Sequence, residues 1–256
     1  MKNIEHKVFC DNLDLVSRET ISKVVRSFES YDGGEGKRNT IKNISTDNLD
    51  LNIKAFKIPH LINRIAYSFF RKSKANRSFE YAKKLLEIGI NTPDPLAYFE
   101  YSSFNILNKS FFISCHLNYD LTYRELINNL NYPDHDIILR EFTRFTFDLH
   151  EKGINFLDHS AGNTLIKKNN NTGKYDFYLV DLNRMKFHSM SLNDRMKNFA
   201  KLTSRKEMVK VMANEYSKLV EQTETLIFDK MWSFSINQSN KYDKRIAFKK
   251  KIFFWK

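Results

Sequence analysis

The chain has few of the residues that define stapled, collagen-like or membrane-spanning proteins. Its 256 residues include two cysteines, four prolines and seven glycines. Two cysteines without a C-x-x-C pair argue against a disulfide framework and a zinc site, and they fit a reducing cytosol. No apolar run reaches the roughly 18 residues of a membrane span, and none follows the N-terminus, so we expect neither a transmembrane helix nor a signal peptide.

Apolar and aromatic residues are plentiful instead. Hydrophobic residues make up 41% of the chain and aromatic residues 14%, with 22 phenylalanines. A chain of this length and composition suffices for a sizeable core and has room for two lobes. We see no internal repeat.

Positive charge is concentrated at the C-terminus. The net charge is +12, and residues 241–256 supply +6 of it, from seven basic residues and one acidic residue interleaved with large apolar side chains. A final helix with one core-facing side and a solvated basic face explains this pattern best, and a contact with an anionic membrane is the second interpretation. Nucleic acid is the least favoured partner and is not expected, because no zinc-finger or RNA-recognition motif accompanies the charge.

Three polar side chains in the second half have the spacing of a phosphoryl-transfer site. Asp158 and Asn163 lie five positions apart, as in the D-x-x-x-x-N catalytic loop of kinases, and Asp181 follows the apolar run 178–180. In such sites one carboxylate orients the acceptor hydroxyl and takes its proton, while an amide and a second carboxylate hold Mg²⁺ against the phosphates. We therefore predict Asp158 as the catalytic residue, and Asn163 and Asp181 as metal ligands.

The context of the motif favours this interpretation over that of ordinary loop and capping residues. The spacing alone is weak, because Asp47 and Asn52 repeat it. Before Asp158, however, apolar residues recur at helical spacing and Gly153 suits the end of the helix. After it, residues 164–166 and 177–180 predict two strands joined by a turn. The order is therefore helix, loop with Asp158, strand, turn, strand and Asp181.

The first half should then contain a nucleotide-covering sheet, a lysine and a glutamate. Gly33, Gly34 and Gly36 form a turn between two apolar runs, 24–28 and 40–44, that we read as strand-like. The turn could approach phosphates, but it does not match G-x-G-x-x-G, and an ordinary hairpin is equally compatible.

A lysine and a glutamate complete the expected nucleotide site. Residues 49–56 alternate and predict a strand, and Lys54 within it resembles the phosphate-pairing lysine at the end of the V-A-I-K strand of kinases, with Lys57 as the fallback. Glu80 lies on a predicted helix and is our candidate to pair with Lys54. The alternatives are a solvated lysine and a surface pair of Glu80 with Lys84.

The adenine site is expected at the junction of the two halves. Residues 96–101 and 111–115 predict a hairpin around residues 108–109, and its second strand leads into an interlobe hinge. Backbone groups of three residues are predicted to meet the adenine, namely Ser114, Cys115 and Leu117. We predict an α+β, two-lobed protein-kinase-like fold, with an N-lobe of one antiparallel sheet and one helix over residues 1–117. The mainly helical C-lobe takes residues 118–256.

Four segments resemble the lipopolysaccharide kinase family, the Kdo and heptose kinases of Gram-negative bacteria. They are residues 73–82, 89–93, 158–163 and 180–184, and the resemblance covers roughly residues 20–205. It implies an enzyme that uses ATP and Mg²⁺ to phosphorylate a core sugar, with Kdo our first choice, of a lipid A precursor. It also implies a cytoplasmic protein that works at the inner membrane, which the basic aromatic C-terminus would contact.

The chain departs from protein kinases in ways that favour a small or glycolipid acceptor. Phe156 and Leu157 occupy the places of the His-Arg pair, and Leu-Asn follows Asp181 instead of Phe-Gly. All four prolines precede Asp158, so no A-P-E element can follow Asp181. Two alternatives stay open, a phosphotransferase of the aminoglycoside or choline kinase kind, and a non-catalytic, nucleotide-binding pseudokinase.

Overall fold

The structure is a computed structural model that describes residues 3–11, 13–32, 34–35, 39–56, 71–104 and 106–253. The chain divides into two compact units. The N-terminal unit comprises Met1–Asn118 together with Asp181–Asn183, and the C-terminal unit comprises Tyr119–Val180 and Arg184–Lys256. Our predicted boundary lay at residue 117 and assigned all later residues to the C-lobe, whereas the short segment that begins with Asp181 clusters with the N-terminal unit.

The N-terminal unit is built on one antiparallel sheet of six strands in the order β1-β5-β6-β4-β3-β2. The strands are β1 (Asn3–Phe9), β2 (Gly34–Glu35), β3 (Asn39–Ser45), β4 (Asp50–Phe56), β5 (Pro95–Ser103) and β6 (Ile106–Cys115). In the described part of this unit, helices α1 (Arg18–Arg26) and α2 (Lys74–Glu87) accompany the strands.

The two helices pack against different residues of the sheet. Successive side chains of a strand point to opposite faces. Phe99 of β5 accordingly joins the cluster that contains Val25 of α1, whereas its neighbour Tyr98 contacts Phe79 of α2, with ring centroids 5.4 Å apart. Apolar side chains from both faces of the sheet are therefore covered, and this holds the central strand β4 in place.

Three predictions for this unit were wrong. Residues 24–28 are not a strand, because Val24 and Val25 belong to α1, whose N-cap Ser17 accepts a hydrogen bond from Thr20 at 3.0 Å. A second helix and the strand β1 were not predicted. The β5–β6 hairpin turns after Ser103 instead of at residues 108–109, and Phe104 there has a positive φ of 51°.

The C-terminal unit is mainly helical. Its elements are β7 (Leu121–Thr122), α3 (Tyr123–Asn128), α4 (His135–Glu151), β8 (Ile154–Phe156), β9 (Thr164–Lys168), β10 (Tyr175–Leu179), β11 (Met185–Phe187), α5 (Leu192–Asn198), α6 (Lys206–Ser217) and α7 (Glu224–Phe253). The strands form two small sheets, β10-β9-β7 and β11-β8. The predicted order of helix, loop, strand, turn and strand is confirmed in α4, β9 and β10.

The helix before the loop of Asp158 ends as predicted. Phe142 and Leu149 of α4 are fully buried. Gly153 has a φ of 68°, and a Cβ there would lie 2.9 Å from the carbonyl oxygen of His188, so this position requires glycine. The chain then passes directly into β8 and the loop that carries Asp158. No helix within the described residues combines the length and the apolar composition that a bilayer span requires.

Candidate active site

Asp158 lies in the loop between β8 and β9, where two cations contact its carboxylate. Arg184 Nη1 is 3.1 Å and Lys201 Nζ is 3.2 Å from the same oxygen, Oδ1. Lys201 also donates to the carbonyl oxygen of Leu157 at 2.6 Å. The Asp158 side chain is 24% exposed, and it therefore remains within reach of a substrate. One negative and two positive charges leave a local surplus of +1.

Asn163 is tied to the same loop by its own side chain. Its Nδ2 donates to the carbonyl oxygen of Asp158 at 2.8 Å, and its backbone oxygen accepts from Val180 at 3.0 Å. The first bond uses the nitrogen end of the amide. In the described part of the chain no hydrogen bond uses Oδ1, so this oxygen is available to a ligand. Val180 immediately precedes Asp181 in the sequence.

Asp181 pairs with Lys54 within the N-terminal unit. The Lys54 ammonium lies 2.7 Å from Asp181 Oδ1, and Asn183 Nδ2 donates to that same oxygen at 2.6 Å. Lys54 is only 12% exposed on β4, between Ile41 and Phe112 of the neighbouring strands. Asp181 has a φ of 59°, a left-handed conformation that a non-glycine residue adopts at a cost. Its second oxygen, Oδ2, takes part in no hydrogen bond of the described residues.

The expected ion pair between Lys54 and Glu80 is not formed. Among the ion pairs of the described residues, Lys54 contacts Asp181 alone and Glu80 takes part in none. Glu80 lies exposed on α2, whose buried face carries residues such as Phe79. Asp181 supplies the carboxylate that we had assigned to Glu80.

The predicted phosphate turn lies largely outside the described residues. This applies to Gly33 and Gly36, and also to the fallback lysine, Lys57. Gly34 is described and pairs with Ile41 at the start of β2. The role of this turn stays a prediction.

The predicted adenine segment has most of its amide groups engaged. Ser114 is buried within β6. Cys115 N–H donates to Asp94 at 2.9 Å, and the next amide, of His116, donates to Asp50 at 2.7 Å. No backbone hydrogen bond of the described residues involves Leu117. The contact of these three residues with an adenine stays a prediction.

The contact between Lys201 and Asp158 was not predicted from the sequence. Lys201 lies 43 residues beyond Asp158, in the turn that follows α5, and no local motif links the two. Arg184 offered a weak signal, since it comes three residues after the predicted metal ligand Asp181. Lys186, two positions further on, is exposed, and no ion pair of the described residues includes it.

An antiparallel sheet packed against helices, a mainly helical second unit and this order of polar residues define a protein-kinase-like α+β fold. The family model described as the lipopolysaccharide kinase (Kdo/WaaP) family matches residues 26–222. This match spans well over half of the chain, and the protein belongs to that family. It is accordingly a phosphotransferase of lipopolysaccharide biosynthesis.

A solved structure shares the fold. The structure described as "WaaP in complex with acyl carrier protein" is similar with a TM-score of 0.61 and 14% sequence identity, over 93% of this chain and 98% of that one. At this identity the likeness establishes the fold alone. No curated protein sequence matches the chain.

Proposed function

We propose that this protein transfers the γ-phosphoryl group of ATP to a hydroxyl of a lipopolysaccharide inner-core sugar, with Kdo as the acceptor. The observation that carries the proposal is the loop from Asp158 to Asn163. The carboxylate of Asp158 is accessible, and Asn163 is held by its amide nitrogen, which leaves its amide oxygen for a ligand. Membership of the lipopolysaccharide kinase family supports the same chemistry.

The residues present fit a magnesium ion. Mg²⁺ takes oxygen ligands, and it keeps waters and phosphate oxygens in its shell instead of requiring an all-protein cage. Asn163 Oδ1 and Asp181 Oδ2 are oxygens that the described hydrogen bonds leave unused, and these two residues would hold the ion. No cluster of three or more acidic, histidine or cysteine residues is found among the described residues, which suits such a sparse site. When bound, the ion neutralises phosphate charge.

The remaining residues orient the reactants. Lys54, whose ammonium lies 2.7 Å from Asp181, would steady the phosphates of ATP. Asp158 orients the acceptor hydroxyl and accepts its proton as the bond to phosphorus forms. The N–H of Leu117 is available to the adenine.

The two cations beside Asp158 favour an anionic acceptor. The two positive charges of Arg184 and Lys201 exceed the single negative charge of Asp158 by one. Both side chains remain partly exposed, at 54% and 37%. Kdo carries a carboxylate at neutral pH and matches this surplus. Choline and the aminoglycosides are cations, which the same surplus repels. This charge balance favours the sugar acid over the acceptors of the alternative phosphotransferases.

An acceptor panel tests the proposal. We expect label from γ-labelled ATP to enter Kdo-lipid A in the presence of Mg²⁺, with no transfer to lipid A that lacks Kdo, to kanamycin or to choline. Preferential labelling of a cationic acceptor would support the second phosphotransferase reading. Stabilisation by Mg-ATP without transfer to any acceptor would identify a pseudokinase.

The variants Arg184→Ala and Lys201→Ala test the acceptor site in particular. Each removes one of the cations, and we expect KM for Kdo-lipid A to rise about tenfold, the cost of a charge-assisted bond. KM for ATP should change little. Lys186→Ala is the matched control, because it removes an exposed lysine of β11 that has no described contact with Asp158. An equal effect of all three variants would indicate a general charge effect.

We further propose that the protein works in the cytoplasm at the inner membrane, which α7 contacts. The end of this helix exposes Tyr242 by 62% and Phe248 by 64%, and it carries basic residues such as Lys244 and Arg245. Apolar and basic side chains together suit an anionic lipid surface. We expect co-sedimentation with vesicles that contain phosphatidylglycerol but not with pure phosphatidylcholine, and weaker binding for Phe248→Ser. Equal binding to both vesicles would contradict this proposal.

A further inference from the structure

A buried polar cluster lies beneath the catalytic loop, with Asn198 at its centre. Asn198 is the last residue of α5, and its Nδ2 donates to the carbonyl oxygen of Phe156 at 2.9 Å. Its Oδ1 lies 2.9 Å from Nδ1 of His159 and 3.3 Å from Nε2 of His150. A single amide therefore bonds the residue two positions before Asp158 and the residue immediately after it.

The hydrogen bonds determine the proton positions of both histidines. An amide oxygen only accepts, so His159 Nδ1 and His150 Nε2 must each carry a proton and donate to Asn198. His150 Nδ1 is then an acceptor, and it receives the hydroxyl proton of Tyr216 at 2.9 Å. The chain of donors thus runs from Tyr216 of α6 through His150 of α4 to Asn198, and joins α4, α5 and α6 to the loop.

The two histidines of the cluster are buried and neutral. His159 is fully buried and His150 is 1% exposed. Burial lowers the pKa of His150 to about 3 and that of His159 to about 4, although the bonds to Asn198 oppose the shift. Both rings are therefore neutral at pH 7, as the assigned protons require. Phe142 and Phe156 enclose the His159 ring, with centroids 5.5 and 5.8 Å away.

The orientation of the His159 ring leaves one of its nitrogens unsatisfied. Its Nε2 is buried and has no hydrogen-bond partner among the described residues. A buried acceptor without a partner is unfavourable. The ring nevertheless keeps Nδ1 towards Asn198, so the bond to Asn198 and the aromatic packing determine its position.

We infer that Asn198 is a positioning residue that fixes the catalytic loop, and that it takes over the anchoring for which protein kinases use a His-Arg pair. Phe156 and Leu157 stand where those two residues would be. Phe156 instead offers its carbonyl oxygen to Asn198, and His159, on the other side of Asp158, binds the same amide. This inference rests on the proposed function, because Asp158, the residue that Asn198 positions, is assigned there as the general base.

The turn that follows α5 contacts the loop as well. Lys201 lies three residues after Asn198, and it contacts both the carbonyl oxygen of Leu157 and the carboxylate of Asp158. The end of α5 and the turn after it thus contact three consecutive residues, Phe156 at the end of β8 and the loop residues Leu157 and Asp158. Release of Asn198 should loosen this whole segment.

The test measures the loop directly in the full-length protein. In Asn198→Ala we expect amide hydrogen exchange in residues 155–163 to accelerate about tenfold. The variant lacks the hydrogen bonds of Asn198 to Phe156 and His159, so the loop should open locally more often. Ile138→Ala is the matched control. It truncates a fully buried side chain of α4 twelve residues before His150, about 18 Å along the helix. It should lower the Tm without accelerating exchange in the loop. Tyr216→Phe, which deletes one oxygen atom, should accelerate loop exchange by a smaller factor.

Two further readouts separate positioning from general stability. With selective ¹⁵N-histidine labelling, the wild type should show His159 protonated on Nδ1, and Asn198→Ala should lose this signature. At a temperature where each variant is folded, kcat of Asn198→Ala should fall about 10²-fold with KM for ATP unchanged. Unchanged loop exchange in both Asn198→Ala and Tyr216→Phe, or a proton on Nε2 of wild-type His159, would overturn the inference. Absence of transfer by the wild type would refute the proposed function, while exchange and labelling would still decide the role of Asn198.

Discussion

The backbone at Asp181 offers a quantitative test of the account. Its φ of 59° is retained although aspartate pays for this conformation, and its side chain holds the nearly buried Lys54. If Asp181 keeps this strained conformation because its carboxylate is needed for function, the free energy of the backbone strain should be measurable separately from that of the ion pair with Lys54. Two substitutions, Asp181→Ala and Asp181→Gly, make this separation, because both delete the carboxylate and only alanine keeps a Cβ.

The magnitudes follow from the geometry. Loss of the carboxylate leaves Lys54, 12% exposed, without its partner, which costs about 1–3 kcal/mol. This cost is common to both variants. In the left-handed region a Cβ costs about 1–2 kcal/mol relative to glycine. Asp181→Gly should therefore be more stable than Asp181→Ala by about 1 kcal/mol, and Asp181→Ala should be the least stable of the three proteins.

Urea unfolding followed by circular dichroism measures these differences. Both variants should lose at least about 10²-fold in phosphoryl transfer, because each lacks the carboxylate that holds the metal and the lysine. Alanine and glycine variants of equal stability would show that position 181 stores no strain. Transfer at the wild-type rate in either variant would remove Asp181 from the site.

Three further predictions concern the C-terminal unit. Asp158→Ala should lower kcat by about 10²–10⁴-fold in the transfer assay, and a wild-type rate would exclude the role of general base. Burial alone would raise the pKa of the Glu215 carboxyl, but hydrogen bonds from Arg144 and Arg140 lower it below its ordinary value. The stabilisation that this carboxylate gives to the folded protein is therefore complete above pH 4.5, the ordinary pKa, and is lost as the pH falls further. Glu215→Gln should cost about 1–3 kcal/mol at pH 7 and reduce the acid dependence of urea unfolding; an unchanged pH profile would contradict this. Gly153→Ala should lower the stability by about 1–3 kcal/mol, because its Cβ meets the backbone of His188 and φ is 68°, and an unchanged Tm would be inconsistent with that contact.

Local sequence patterns were sufficient to predict the part of the candidate site that lies in neighbouring stretches of the chain. The apolar spacing of α4, the turn at Gly153 and the two strands β9 and β10 each follow from neighbouring residues, and they place Asp158, Asn163 and Asp181 at the ends of elements. The capping box of Thr122 and Glu125 at the start of α3 is another feature of neighbouring residues. These features depend on interactions over four residues or fewer.

Features that depend on distant residues were not predictable in this way. The partner of Lys54 is Asp181, 127 positions later, and no local pattern distinguishes it from Glu80. Asn198 lies 42 residues from the carbonyl that it binds. The apolar run 24–28 was read as a strand because a short run has no clear period, and the helix emerges only with Ser17 as its N-cap.

The most direct test of the central claim is a single-turnover measurement with γ-labelled ATP, Mg²⁺ and purified Kdo-lipid A. It compares the wild type with Asp158→Asn, which keeps the size of the side chain and removes the base. We expect the wild type to transfer the label to the Kdo sugar in an Mg²⁺-dependent reaction, and the rate to fall about 10²-fold or more in the variant. Labelled Kdo produced at equal rates by both proteins, or no labelled Kdo with an active ATP-binding wild type, would contradict this expectation.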